Sequence, residues 1–372
     1  MIPYSKQNID AGDAAALLEA LNGGVITGGA WVERFENALA ETTGARYAVA
    51  LSSGTAALHT AYIAAGLSAG DELITSPITF AATSNAALYL NAVVKFADIE
   101  LSTGNMNAET AISLITPKTK VIAPVDYAGL AFDNGELYQY TRSKGIFIVE
   151  DACHALGGSY KSGERIGSCS FSDMTVFSFH PVKHITTGEG GAVTTNDRSL
   201  YEKLKLLRSH GIYTDPERKW IKEMALLGLN YRLTDFQSAL GVNQLKRLDI
   251  FIKERRRIAE VYDREVGCAQ AVGRGNSTNH AYHLYPVLLS TERKRNALLE
   301  AGVERGIGFQ VHYFPVYQHP YYKQNGYSGY EKRCPIAQDF SSRVVSLPIY
   351  PFMDEADQQK VLTSLTEVDR WG

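Results

Sequence analysis

The sequence predicts an α/β fold: a mainly parallel sheet with helices on both faces, followed by a smaller region with short strands of its own. Three observations carry this prediction. From Arg46 onward, apolar runs of strand length alternate with stretches of helical pattern. The runs stay apolar along their length, without the polar alternation of a half-exposed strand, as strands covered on both faces do. The chain has 372 residues, 45% hydrophobic and 21% charged, which is enough to bury such a core without disulfide staples.

Taken in order, residues 47–51 form the first run, and Ser52-Ser53-Gly54-Thr55 leads from it into an Ala-rich helical stretch ending near Gly66. Runs at 71–75, 93–99, 121–125 and 146–149 follow, with helical patterns at about 80–91, 107–116 and 133–144 between them. Residues 175–179 and 192–195 complete seven runs, and a glycine-rich segment joins these last two. One long helix is expected from about Thr234 to Glu265, with further short strands at 283–289 and 308–311. This divides the chain into a large domain with an N-terminal arm, 1–245, and a small C-terminal α/β domain, 246–372.

The net charge of −3 and the lack of a basic tract argue against a nucleic-acid partner. The densest basic stretch, 253–257, reads as the solvated face of the long helix. Cys153, Cys169, Cys268 and Cys334 have no paired spacing and are expected as reduced thiols of a cytoplasmic protein. Residues 1–10 hold no apolar signal core, and no window approaches the roughly 18 apolar residues of a membrane span, so no membrane association is expected.

In open α/β sheets, ligands bind outside the carboxyl ends of the strands, and three polar features stand there. Ser52-Ser53-Gly54-Thr55-Ala56 ends a strand and opens a helix, so its N–H and hydroxyl groups form a ready anion site. Taken alone, an ordinary helix cap is the simpler reading. Glu150-Asp151-Ala152-Cys153-His154 ends the fifth run. A carboxylate there needs a cationic partner, such as a protonated pyridine nitrogen, although capping the next turn explains it equally well. Lys183 follows a buried-looking strand and precedes Thr187-Gly188-Glu189-Gly190-Gly191. A partly desolvated lysine attacks carbonyls to form Schiff bases, yet most lysines are simply exposed.

Other chemistry finds no support. His180 and His184 are four apart, but Pro181 argues against a helix presenting both, and no metal site is expected. Neither a phosphate-binding G-x-x-x-x-G-K-[ST] loop nor a G-x-G-x-x-G dinucleotide turn is present.

Together, in this order and spacing, the three features resemble the pyridoxal-phosphate aminotransferases of the DegT/DnrJ/EryC1/StrS type that act on nucleotide sugars, and among these the transaminases of pseudaminic acid biosynthesis. The similarity spans the whole chain. Its points are Tyr4-Ser5, Asp126-Tyr127-Ala128-Gly129, His154-Ala155-Leu156-Gly157, Phe177-Ser178-Phe179-His180, Lys183, Ile185-Thr186-Thr187, Glu189-Gly190-Gly191-Ala192-Val193, Arg208-Ser209-His210-Gly211 and Gln310-Val311-His312-Tyr313. His184 departs from the pattern, standing where those enzymes carry proline. Its expected effect is on loop stiffness more than on chemistry.

The resemblance implies an aspartate-aminotransferase-like, fold type I architecture with a seven-stranded sheet. It implies that Lys183 holds pyridoxal 5'-phosphate as a Schiff base and then moves the proton, and that Thr55, Ala56 and Ser178 bind the phosphate. It places Phe80 on the pyridine face, Asp151 at the ring nitrogen and His154 near the ring oxygen. Asn230 would reach the phosphate from the partner subunit, making a homodimer with shared active sites. The implied reaction aminates a UDP-linked 4-keto-6-deoxy-N-acetylhexosamine, UDP-2-acetamido-2,6-dideoxy-β-L-arabino-hex-4-ulose, at C4 with L-glutamate as donor. Tyr4, the turn Val25-Ile26-Thr27-Gly28 and the segment His312-Tyr313-Phe314 are the candidate sugar-nucleotide contacts. Two relatives on the same fold are weighed against this: a dehydratase, which carries histidine in place of the lysine, and a non-catalytic regulator, which carries an added DNA-binding module. Lys183 argues against the first and the absence of spare length against the second.

Overall fold

Seven strands build the principal sheet: β1 (Tyr47–Leu51), β2 (Glu72–Thr75), β3 (Val93–Phe96), β4 (Thr119–Ala123), β5 (Phe147–Asp151), β6 (Met174–Ser178) and β7 (Gly191–Thr195). Their order across the sheet is β1-β7-β6-β5-β4-β2-β3, and only β7 runs against its neighbours. The computed structural model describes residues 1–132, 135–267, 269–273 and 279–370. Cys268 and residues 133–134 of the helical pattern at 133–144 lie outside them.

Successive strand residues point to opposite faces, and here both faces are covered. Val49, Leu51, Val121, Val149, Val176 and Val193 pack into one apolar cluster that includes the helix Gly54–Ala64. Their neighbours face the other way. Ala48, Ala50, Phe177 and Ala192 meet Phe35 and Leu39 of the helix Ala30–Thr43, and Ile74, Ile122 and Ile148 fill a further cluster. Paired faces of this kind leave the strands no polar side, which is why they read as unbroken apolar runs.

The expected single helix over 234–265 is two helices, Asp235–Leu245 and Leu248–Glu265. Arg247 leaves the helical conformation, with φ −106° and ψ 1°. Its guanidinium turns to the N-terminal arm, pairing with Asp10 at 2.9 Å and Asp13 at 2.5 Å and donating to Asn8 Oδ1 at 2.8 Å. Residues 245 and 246, where the sequence divides the chain, lie at this break. Nor is 253–257 a wholly solvated face. Lys253 is exposed, but Arg255 is fully buried and donates to the carbonyls of Tyr282, His283 and Ile349.

Beyond the break, β10 (Gln270–Ala271), β11 (Tyr285–Leu288) and β12 (Val344–Leu347) form a small antiparallel sheet. The strand expected at 308–311 is reduced to a single bridge between Gln310 and Ser346. A hairpin of β8 (Ile212–Thr214) and β9 (Lys222–Met224) projects separately. Among the described residues no helix is long and apolar enough to cross a membrane.

Candidate active site

A cavity of about 450 Å³ opens at the carboxyl ends of β1, β4, β5 and β6. Those four strands run the same way, so each delivers its last residue to one edge of the sheet, where ligands of such folds bind. Val125, Asp151, Ser178 and the turn Ser53-Gly54-Thr55 form its floor.

That turn opens the helix Gly54–Ala64, whose first N–H groups have no carbonyl one turn back and favour an anion. Ser53 caps the helix, its hydroxyl accepting from Ala56 N at 3.1 Å. Ala56 is buried behind the cavity wall with its N–H engaged, whereas Thr55 lines the cavity. Gly54 is required here: a Cβ would stand 2.9 Å from the Ser178 Cβ, so a side chain would push the helix end off β6.

Asp151 and Glu150 end β5 on opposite faces. Glu150 is held by the hydroxyls of Tyr160 (2.6 Å) and Thr175 (2.8 Å), away from the cavity. Asp151 faces the cavity, with Oδ2 accepting from Thr83 Oγ1 at 2.7 Å and Oδ1 from Cys153 N at 3.2 Å. Neither of these two partners is cationic.

Lys183 stands in the loop between β6 and β7. Its N–H closes a turn on His180 O at 2.9 Å, and Ser5 of the N-terminal arm donates to Val182 O at 3.1 Å. Burial lowers the lysine's pKa, opposed by the nearby Cys153 and Asp151, so more of it is the free amine than an exposed lysine would supply. Four histidines surround it. His154 Nε2 pairs with Tyr313 OH at 3.0 Å, and His312 Nδ1 with Ser346 Oγ at 2.9 Å. His283 Nε2 lies 3.5 Å from Lys183 Nζ, and His184 Nε2 meets the Ala281 carbonyl at 3.1 Å. Burial, and then the Lys183 charge, push His154 and His283 well below the ordinary histidine range, so both are neutral. Among the described residues no His, Cys, Asp and Glu group is arranged to hold a metal.

The structure brings together Tyr4, Thr55, Phe80, Asp151, His154, Ser178, Lys183, His312 and Tyr313 around the cavity. Phe80 is 64% exposed and so is no core residue. The structure does not bring Val25, Ile26, Thr27 and Gly28 to the cavity lining; all four are exposed. They lie instead against the start of the helix Asp235–Leu245. There Thr27 bridges to Thr234, and the Asp235 carboxylate takes the N–H groups of Gly29 (2.8 Å) and Trp31 (3.1 Å). Asn230 is exposed and paired to Ser209, and Phe314 is turned outward against His319. Sequence reasoning missed Thr83, Cys153 and His283 at the cavity. Cys153 lies within a segment already singled out and Thr83 three residues after Phe80, but nothing in the local sequence around His283 points to a lysine 100 residues earlier.

The residues present fit pyridoxal phosphate. The helix N-terminus with Thr55 and Ser178 suits its phosphate, Asp151 its ring nitrogen, and Lys183 its aldehyde. The Nδ1 atom of His154 is buried without a protein partner, a polar group of the kind a ligand satisfies.

The model of the DegT/DnrJ/EryC1/StrS aminotransferase family matches residues 7–366. The chain is 41% identical, over 99% of its length and 97% of the relative's, to the UDP-4-amino-4,6-dideoxy-N-acetyl-beta-L-altrosamine transaminase of Campylobacter jejuni. Among solved structures it resembles Helicobacter pylori PseC, an aminotransferase involved in the biosynthesis of pseudaminic acid, with a TM-score of 0.92, 34% identity and complete coverage of both chains. It also resembles the PLP-form of the putative sugar aminotransferase Spr1654 from Streptococcus pneumoniae, with a TM-score of 0.92 and 27% identity over 100% of this chain and 99% of that one.

Proposed function

The chain belongs to the DegT/DnrJ/EryC1/StrS aminotransferase family, and from that premise we propose that it aminates C4 of a UDP-linked 4-keto-6-deoxy-N-acetylhexosamine, with L-glutamate as donor, in pseudaminic acid biosynthesis. It is a nucleotide-sugar transaminase of fold type I with pyridoxal phosphate as cofactor. The observation that carries the reading is the convergence on one cavity of an amine, a strand-end carboxylate and a helix N-terminus. The choice of sugar is supported by the similarity to the altrosamine transaminase and to PseC.

When bound, pyridoxal phosphate supplies an aldehyde that takes the amino group and a ring that accepts an electron pair. The protein's own residues do the rest. Lys183, with its pKa lowered by burial, has the free amine that attacks a carbonyl. The same Nζ takes a proton from the donor's α-carbon and returns one, as general base and then acid. Asp151, fixed by Thr83 and the Cys153 N–H, would pair with the ring nitrogen and favour its protonated form. Thr55 and Ser178 would hold the phosphate, and Phe80 and His154, which line the same cavity, would contact the ring. Tyr4, His312 and Tyr313, at the cavity wall, contact the sugar. The Tyr127 hydroxyl fixes this wall by donating to the His312 carbonyl.

Asn230, the turn Val25-Ile26-Thr27-Gly28 and Phe314 act, in this reading, on the site of a second subunit in a homodimer. Their exposure away from the chain's own cavity supports this. So does the apolar surface on and beside the β8–β9 hairpin, with Trp220 80% and Leu227 85% exposed. Cys153, Cys169 and Cys334 are free thiols, which suits the cytoplasm. Residues 1–245 form the cofactor-binding unit of this reading and 246–372 the smaller one.

The test is incubation of the purified protein with UDP-4-keto-6-deoxy sugars and glutamate, with products followed by mass spectrometry and NMR. A 4-amino sugar and 2-oxoglutarate are expected. Absence of amination with every 4-keto sugar sinks the proposal; amination of a different one moves the substrate assignment only.

A further inference from the structure

His283 plays no part in the reaction outlined above, yet its placement is controlled from several directions. It precedes β11 and is 2% exposed, with Nε2 3.5 Å from Lys183 Nζ. Its carbonyl is one of three that the buried Arg255 guanidinium gathers, at 3.0 Å for Tyr282, 3.3 Å for His283 and 3.0 Å for Ile349. Tyr282 enters at a φ of +50°, a conformation that side chains rarely adopt and that this clamp holds. The His283 ring is packed between His154, at 4.5 Å between centroids, and His184, at 5.8 Å. Its Nδ1 is buried without a protein partner.

These constraints decide the ring's chemistry. Burial first, and then the positive charge that Lys183 and Arg255 can carry, disfavours a cation on this ring. A neutral imidazole has one donor nitrogen and one acceptor. An amine or ammonium can donate to Nε2, which leaves the proton on Nδ1.

We propose that His283 is a positioning residue for Lys183, accepting a hydrogen bond at Nε2 from the lysine amine whenever that amine is not covalently engaged, and so holding it at the cavity floor. No bond to carbon forms or breaks at the imidazole; it stays neutral while the proton travels on Nζ. Without it, a freed lysine has four rotatable bonds and, among the described residues, no other hydrogen-bond partner for Nζ. The inference rests on Lys183 being the covalent amine, and its test keeps the two claims apart.

The experiment uses the full-length protein freed of cofactor. Competitive acetylation of Lys183 with acetic anhydride is followed against pH by peptide mass spectrometry, in wild type, His283→Leu and His283→Gln. The other titratable or charged groups facing the pair are Asp151, Cys153, His154, His184, Arg255 and His312, and all variants share them. A neutral acceptor favours the ammonium over the amine, so His283→Leu should lower the Lys183 labelling midpoint by about one pH unit or more. His283→Gln, whose amide oxygen reaches the Nε2 position, should restore most of the shift. With cofactor and substrates, His283→Leu should cut kcat about tenfold with little change in KM. Should the leucine variant fail to fold, His283→Asn, too short to reach the amine, takes its place. An unchanged midpoint in the leucine or asparagine variant overturns the proposal. Borohydride trapping of pyridoxal phosphate on Lys183 tests the premise separately, since it should survive in every His283 variant.

Discussion

The hydroxyl of Thr83 donates to Asp151 Oδ2 at 2.7 Å while standing 2.9 Å from the hydroxyl of Thr79. The carboxylate is thus aimed by a helix that belongs to neither its own strand nor the next. A hydrogen bond to a charged group contributes about 1.5–3 kcal/mol. Thr83→Val, which keeps the shape and removes the donor, should lower kcat/KM by roughly 10- to 150-fold. Wild-type rates in the valine variant would show that the bond does not orient Asp151.

Lys183→Ala should lose the visible absorbance of the cofactor-loaded protein and the borohydride-trapped adduct. Turnover should fall by at least about 10²- to 10⁴-fold, the range of a lost general acid–base group. Retention of a trapped adduct on another lysine is the outcome that would unseat this residue.

Gly54→Ala brings a Cβ to 2.9 Å from the Ser178 Cβ. Overpacking of this kind costs about 1–3 kcal/mol. Because it displaces the helix N-terminus itself, pyridoxal phosphate should bind about 5- to 150-fold more weakly. A fluorescence titration of the cofactor-free protein reads this directly, and unchanged affinity would mean that the phosphate sits elsewhere.

Burial, reinforced by the Arg256 charge, pushes His280 down to about 3. The unfolded chain, with histidine near 6.5, takes up a proton on acidification that the folded chain refuses. This contribution is therefore complete at neutral pH and is lost as pH falls from 6.5 toward 3, by about 1.4 kcal/mol per pH unit. His280→Asn, which still offers an acceptor to Tyr282 N, should be less acid-sensitive by that slope in urea unfolding at pH 7, 6 and 5. Parallel curves for the two proteins would contradict it.

Trp220→Asp with Leu227→Asp should shift the protein from dimer to monomer in sedimentation velocity and reduce activity with it. A dimer of unchanged stability would remove the hairpin region from the interface.

The principal sheet is legible in the sequence because burial on both faces leaves an unbroken apolar run, as in Val121 and Ile122, which serve opposite sides of one strand. Lys183, Asp151 and Thr55 stand beside a strand end or a helix start and line one cavity, but the local sequence left each with a plainer reading, and only the resemblance singled them out. What is not legible depends on distant partners. The helix break at Arg247 answers to Asp13, and the burial of Arg255 answers to three carbonyls that no local pattern announces. The 308–311 segment has strand-like residues, but only Gln310 finds a strand neighbour. Val25-Ile26-Thr27-Gly28 sits where Asp235 anchors it, a placement that the turn's own residues do not encode.

The pairing of β1 with β7 joins Tyr47 to Thr195 and Leu51 to Gly191, far apart in the chain. Loop closure over such a separation is slow compared with local contacts, and a nascent chain emerges from its N-terminus. During synthesis β1, whose strand neighbour among the described residues is β7, therefore waits for that pairing until β7 has left the ribosome, long after the helix that follows β1. The Ser53-Gly54 end of the cavity, which is packed against Gly191, is completed only then. Cofactor capture is consequently a late event in the birth of the protein, and chains truncated before residue 195 should remain colourless even when their lysine is present.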